Sequence, residues 1–103
     1  MVRITKSVAE KRLGDVSKEE QFWCHDGRYL KNLQELEVAL EQMTEETFRY
    51  HVNETKSDFS NWVRDVIGDE KLSRDLHKST TQAQAAKSVA NRIVSLKKKT
   101  ETE

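Results

Sequence analysis

Cys24, His51 and Asp58 carry a thiol, an imidazole and a carboxylate, the groups that nucleophilic catalysis brings together. They make such a set on paper, yet no local signature surrounds Cys24. A cysteine among apolar residues is ordinarily an inert small hydrophobe. Cys24, His25, His51 and His77 are the soft or borderline metal ligands, and none falls in a Cys-x-x-Cys, His-x-x-x-His or His-Glu-x-x-His spacing. Cys24 and His25 are neighbours in an expected strand, so their side chains leave opposite faces and one ion cannot easily use both. The acid pairs Glu45/Glu46 and Asp69/Glu70 stand at expected helix starts, where the helix dipole accounts for them. Gly14, Gly27 and Gly68 are isolated, so no glycine loop cradles a phosphate. The residues point away from an enzyme, a metal site and a cofactor.

The same segment has a second reading as a helix corner. Such a corner leaves unpaired carbonyls on one side and unpaired N–H groups on the other. Ser57 or Asp58 is expected to cap the second helix, Asn53 to cap the carbonyls that end the first, and His51 to bond across while its ring packs on Phe59 or Trp62. Phe48, Val52, Phe59, Trp62 and Val63 are then inward. Tyr50, Asn53, Asn61 and Arg64 are outward, and these four are the candidate partner-binding residues, Tyr and Arg being favoured at contacts.

Around this corner the chain reads as short helices. Ser7-x-x-Glu10, Asn32-x-x-Glu35 and Thr81-x-x-Gln84 have capping-box form, and Thr44 and Asp69 are further cap residues. Gly14 and Gly68 stand where helices would stop. Leu33, Leu36, Leu40 and Met43 repeat at helical spacing. Phe22-Trp23-Cys24-His25 and Arg28-Tyr29-Leu30 flank Asp26-Gly27, the signal for a two-residue hairpin turn. The expected fold is mainly α: a compact small bundle of about five to six short helices with one β-hairpin near residues 22–30. Residues 1–20 read as an N-terminal helical extension, 21–97 as the single domain, and 98–103 as a frayed tail.

With 103 residues, no proline, and 35% apolar and 35% charged residues, the chain suits one helical domain with a modest core. The lone Cys24 cannot form an internal disulfide, no apolar signal-peptide core opens the chain, and no apolar run approaches a membrane span. A cytoplasmic protein with no membrane span is the expectation. The net charge is zero, but the charge is uneven: acids predominate from Gln21 to Gly68, whereas Lys78, Lys87, Arg92, Lys97, Lys98 and Lys99 have no acid among them. These six are the candidate basic surface. On a helical wheel Ala86, Val89, Ala90, Ile93 and Leu96 share one face of the last helix, with Lys87, Arg92, Lys98 and Lys99 at its borders. Cations beside an apolar stripe suit a docked helix whose stems cover its edges better than one laid on phosphates.

Phe22-x-x-x-Asp26-Gly27, then Tyr50-His51, then Asp58-Phe59-x-x-Trp62-Val63 form an ordered succession over about residues 22–76. It resembles a family of small archaeal and bacterial domains of unknown function, marked by F-x-x-x-D-G, Y-H and N-D-F-x-x-W-V motifs. Ser57 stands where that pattern usually has asparagine. The resemblance implies a helical domain from a prokaryote and brings no catalytic residue, cofactor or substrate.

The leading expectation is a non-enzymatic interaction module that binds a protein partner or itself, through the Tyr50–Arg64 segment or the last helix. The alternative is weak, sequence-nonspecific nucleic-acid binding through the basic C-terminal helix.

Overall fold

Six α-helices and a two-stranded hairpin form where capping residues and apolar spacing place them, in a computed structural model that describes residues 4–101. Thr5 caps α1 (Lys6–Leu13) by accepting from the Val8 N–H, so the helix begins two residues earlier than Ser7 suggested and Ser7 lies inside it. Asn32 Oδ1 caps α2 (Leu33–Gln42) by accepting from the Glu35 N–H at 2.8 Å, while the Glu35 carboxylate accepts from Lys31 N at 2.9 Å. Thr44 caps α3 (Glu45–His51), Ser57 caps α4 (Asp58–Trp62) and Asp69 caps α5 (Glu70–Lys78). Thr81 accepts from the Gln84 N–H in the first turn of α6 (Gln82–Glu101). Each cap satisfies one of the free N–H groups at a helix start, worth roughly 1 kcal/mol.

The α4 helix does not stop at Trp62 but runs on through a π-turn, Val63–Ile67. Gly68 closes it in the left-handed region at φ 83°, donating to the Val63 carbonyl at 2.7 Å. Only glycine occupies that region without steric cost.

The hairpin pairs β1 (Phe22–Trp23) with β2 (Tyr29–Leu30), Phe22 opposite Leu30 and Trp23 opposite Tyr29. Its turn differs from the two-residue form expected. Gly27 donates to the Cys24 carbonyl, Cys24 donates to the Arg28 carbonyl, and only Gly27 has positive φ. His25-Asp26-Gly27 is thus a three-residue loop with glycine at the left-handed position. Asp26 avoids positive φ and its Oδ1 accepts from the Arg28 N–H at 3.2 Å.

The core joins these pieces. α1 and α2 pack on α6, α5 on α6 and α4 on α5. Leu33, Leu36, Phe48, Phe59, Val63, Leu72, Leu76, Val89 and Leu96 are fully buried. Trp62 is buried too, and its indole N–H donates to the Glu20 carbonyl at 2.8 Å, tying the segment before the hairpin to α4. Ala9 of α1 is buried in the same core, so residues 6–13 are part of the domain rather than an extension to it. The helix α6 also continues to Glu101, so residues 98–101 are helical where a frayed tail was expected; 102 and 103 lie outside the described residues. The radius of gyration is 13.1 Å, close to the ~13 Å of a compact chain this long. No helix among the described residues is long and apolar enough to cross a membrane.

Candidate functional site

The polar residues of the corner between α3 and α4 hold the hairpin in place. His51, at the end of α3, is 2% exposed, deeper than the margin position its spacing suggested. Its Nε2 lies 3.0 Å from the His25 backbone N–H and accepts from it. Nδ1 must then carry the ring proton, which it donates to Asp58 Oδ2 at 3.0 Å. The ring packs on Phe22 and Phe59, with centroids 5.1 and 5.2 Å away. Ser57, not Asp58, is the cap, accepting from Ser60 N at 3.2 Å. Asn53 does not cap the end of α3 either. Its Oδ1 accepts from Thr55 N, Thr55 Oγ1 and Lys56 N, and the Asn53 N–H donates to the Lys56 carbonyl. Together with the bridge between Val52 and Ser57, this makes a tight turn from α3 to α4.

An imidazole between a carboxylate and a donor resembles half of a catalytic triad. Here, however, the nitrogen that would take a proton from a nucleophile already accepts a backbone N–H. Cys24 is fully buried and burial raises its thiol pKa above the ordinary value, while a backbone hydrogen bond from Asp26 works against the rise and the Asp26 carboxylate adds to it. Cys24 is buried, whereas His25, in the turn rather than in the strand expected for it, is exposed. Among the described residues no three His, Cys, Asp or Glu side chains gather at one point.

With the hairpin latched this way, one face of it is aromatic and open to solvent. Phe22 and Leu30 turn into the core, while Trp23, Tyr29 and Tyr50 are 47%, 63% and 49% exposed. Tyr50 stacks on His25 with centroids 3.9 Å apart and planes 11° from parallel. Trp23 meets both rings edge-on, 6.0 Å from His25 and 6.3 Å from Tyr50. Such ring pairs are worth about 0.5–1.5 kcal/mol each, so they restrain one another. The cations beside them are already matched: Arg28 lies 3.1 Å from Asp26, and Lys56 lies 3.4 Å from Asp58 while its ammonium is 5.9 Å from the Tyr50 ring centre.

The structure does not bring the four candidate partner-binding residues to one place. Tyr50 joins the hairpin rings and Asn53 is used within its turn. Asn61 and Arg64 line the groove between α4 and α5, where Arg64 also pairs with Asp65 at 2.9 Å. The Asp65 carboxyl is held below its ordinary pKa by that guanidinium.

The basic set divides as well. Lys97, Lys98 and Lys99 are exposed on the last turns of α6, and Lys78 and Lys87 line one shallow hollow between α5 and α6. Arg92 is not part of any basic surface: it is buried against Asp69. The buried stripe of α6 runs through Ala85, Val89, Arg92, Ile93 and Leu96, displaced from the Ala86–Ala90 line of the helical wheel. The displacement follows from α6 being covered by α1, α2 and α5 together, which widens the enclosed arc past Arg92.

The residues missed from sequence are Trp23, His25 and Tyr29. Strand alternation in the hairpin places Trp23 and Tyr29 on the face opposite Phe22 and Leu30. The ring stack of His25 with Tyr50 joins residues far apart in the chain and had no sequence signal. No family model, curated protein or solved structure matches this chain.

Proposed function

We propose that this protein is a non-enzymatic interaction module whose contact surface is the aromatic face formed by Trp23, His25, Tyr29 and Tyr50, and that its partner is another protein. The observation that carries this reading is the exposed stack of Tyr50 on His25, with Trp23 set edge-on against both rings. Trp and Tyr dominate the energetics of protein contacts because they bury much area with few rotors to freeze. Rings that already restrain one another lose less freedom on binding. The matched pairs Arg28–Asp26 and Lys56–Asp58 favour a protein over a phosphate backbone, which needs unmatched cations beside the stacking rings. Nucleic-acid binding through α6 is the weaker reading, since Arg92 is spent on Asp69. The single free Cys24 and the resemblance to small archaeal and bacterial domains make a prokaryotic cytoplasm the setting we propose.

The test compares affinity capture from the native cell by the wild type, by Trp23→Ala/Tyr50→Ala, and by a variant with alanine at Lys97, Lys98 and Lys99. A specific protein should be lost only with the aromatic variant, which should melt somewhat earlier through its lost ring pairs but keep the wild-type helical circular dichroism, because neither side chain belongs to the core. Self-association through the same face would appear as a concentration-dependent mass in light scattering. Equal recovery by wild type and the aromatic variant would reject the proposal. So would recovery of nucleic acid that only the lysine variant abolishes.

A further inference from the structure

The groove between α4 and α5 is a second surface that shares no lining residue with the aromatic face. It encloses about 510 Å³. At its base Ser60 Oγ donates to the Ser73 carbonyl at 2.7 Å, and Ser73 Oγ donates to the Ser60 carbonyl at 2.9 Å. Both hydroxyl protons are therefore spent on the helix crossing, and recognition falls to the rim. Arg74 and Lys78 stand there one helical turn apart, exposed, and neither has an ion-pair or hydrogen-bond partner among the described residues. They contrast with Arg28, Arg49, Lys56, Arg64 and Lys71, each of which has a carboxylate within 4 Å.

Two unmatched cations on a groove wall attract anions, and the remaining charges decide which kind. Glu70 lines the same groove one turn before Arg74, and Asp65 flanks Arg64 on the opposite wall. A phosphodiester strand carries a charge on every residue and would set phosphates against these carboxylates. A peptide can space its acids to meet Arg74 and Lys78 and leave a neutral or basic residue opposite Glu70. We propose that the α4–α5 groove binds an acidic peptide segment of a partner protein, with Arg74 and Lys78 as its carboxylate contacts.

Fluorescence anisotropy at low salt tests this with two labelled probes: a peptide with glutamates one helical turn apart on an alanine background, and oligodeoxythymidylate. The peptide should bind more tightly than the oligonucleotide and weaken as salt rises. Arg74→Glu/Lys78→Glu should lower peptide affinity about tenfold or more, two exposed charge contacts having been reversed. Arg74→Gln/Lys78→Gln should give a smaller loss in the same direction. Reversing Lys97, Lys98 and Lys99, or removing Trp23 and Tyr50, should leave affinity nearly unchanged. No peptide binding by the wild type, equal loss on reversing the α6 lysines, or tighter binding of the oligonucleotide would each overturn the proposal.

Discussion

Arg92 and Asp69, 23 residues apart, form a buried two-pronged ion pair, with Nε 2.7 Å from Oδ2 and Nη2 3.1 Å from Oδ1. Asp69 is fully buried and also caps α5 by accepting from the Leu72 N–H at 3.1 Å. Arg12 of α1 approaches the same carboxylate at 3.7 Å. One side chain thus starts a helix and links α1, α5 and α6.

Breaking this pair should be costly, because the remaining partner keeps its desolvation penalty without its counter-charge. Arg92→Leu is expected to destabilise by about 3–5 kcal/mol, measured from urea unfolding. Arg92→Lys should also lose much of this, since an ammonium cannot reproduce the planar two-pronged contact. A loss below about 1 kcal/mol for Arg92→Leu would mean that Asp69 is compensated by other groups.

The two residues at the start of α4 should separate by mechanism. Ser57→Ala removes the cap and should cost about 1 kcal/mol. Asp58→Ala instead strips the His51 ring proton of its acceptor and should cost roughly 1–3 kcal/mol. Nitrogen-15 NMR of the imidazole should find the His51 proton on Nδ1. A proton on Nε2 of the neutral ring would contradict the bond from the His25 N–H.

Cys24 should react slowly in the folded protein. Burial raises its thiol pKa, so at neutral pH the group is the protonated, poorly nucleophilic form as well as enclosed. Alkylation by iodoacetamide should be far slower than in urea-unfolded protein, and should accelerate with denaturant in step with unfolding. Fast native-state alkylation near pH 7 would show that the turn around Cys24 opens readily.

The helices were readable along the chain because caps and apolar stripes act over three or four residues. Asn32 with Glu35, Thr44 with Thr47 and Asp69 with Leu72 are all such pairs. Hairpin pairing was readable for the same reason: Phe22 and Leu30 lie close in sequence and alternate with Trp23 and Tyr29. Local rules erred where neighbours offer competing choices, as when Thr5 rather than Ser7 took the cap of α1, when the hairpin closed on three residues rather than two, and when Asn53 bonded within its own turn rather than capping α3.

The candidate surfaces depend on contacts that no local spacing encodes. His51 reaches back 26 residues to the His25 N–H, and that bond sets the angle at which the hairpin presents its rings beside Tyr50. Ser60 and Ser73 exchange hydrogen bonds across 13 residues, and that crossing forms the α4–α5 groove. Composition marked Arg92 as one cation of a basic helix, whereas the packing of α5 on α6 turned it into a buried counter-ion. Caps, amphipathic faces and strand alternation come from the order of residues, because their partners are near in the chain. Which polar side chains are spent inside and which remain on the surface follows from how distant elements meet.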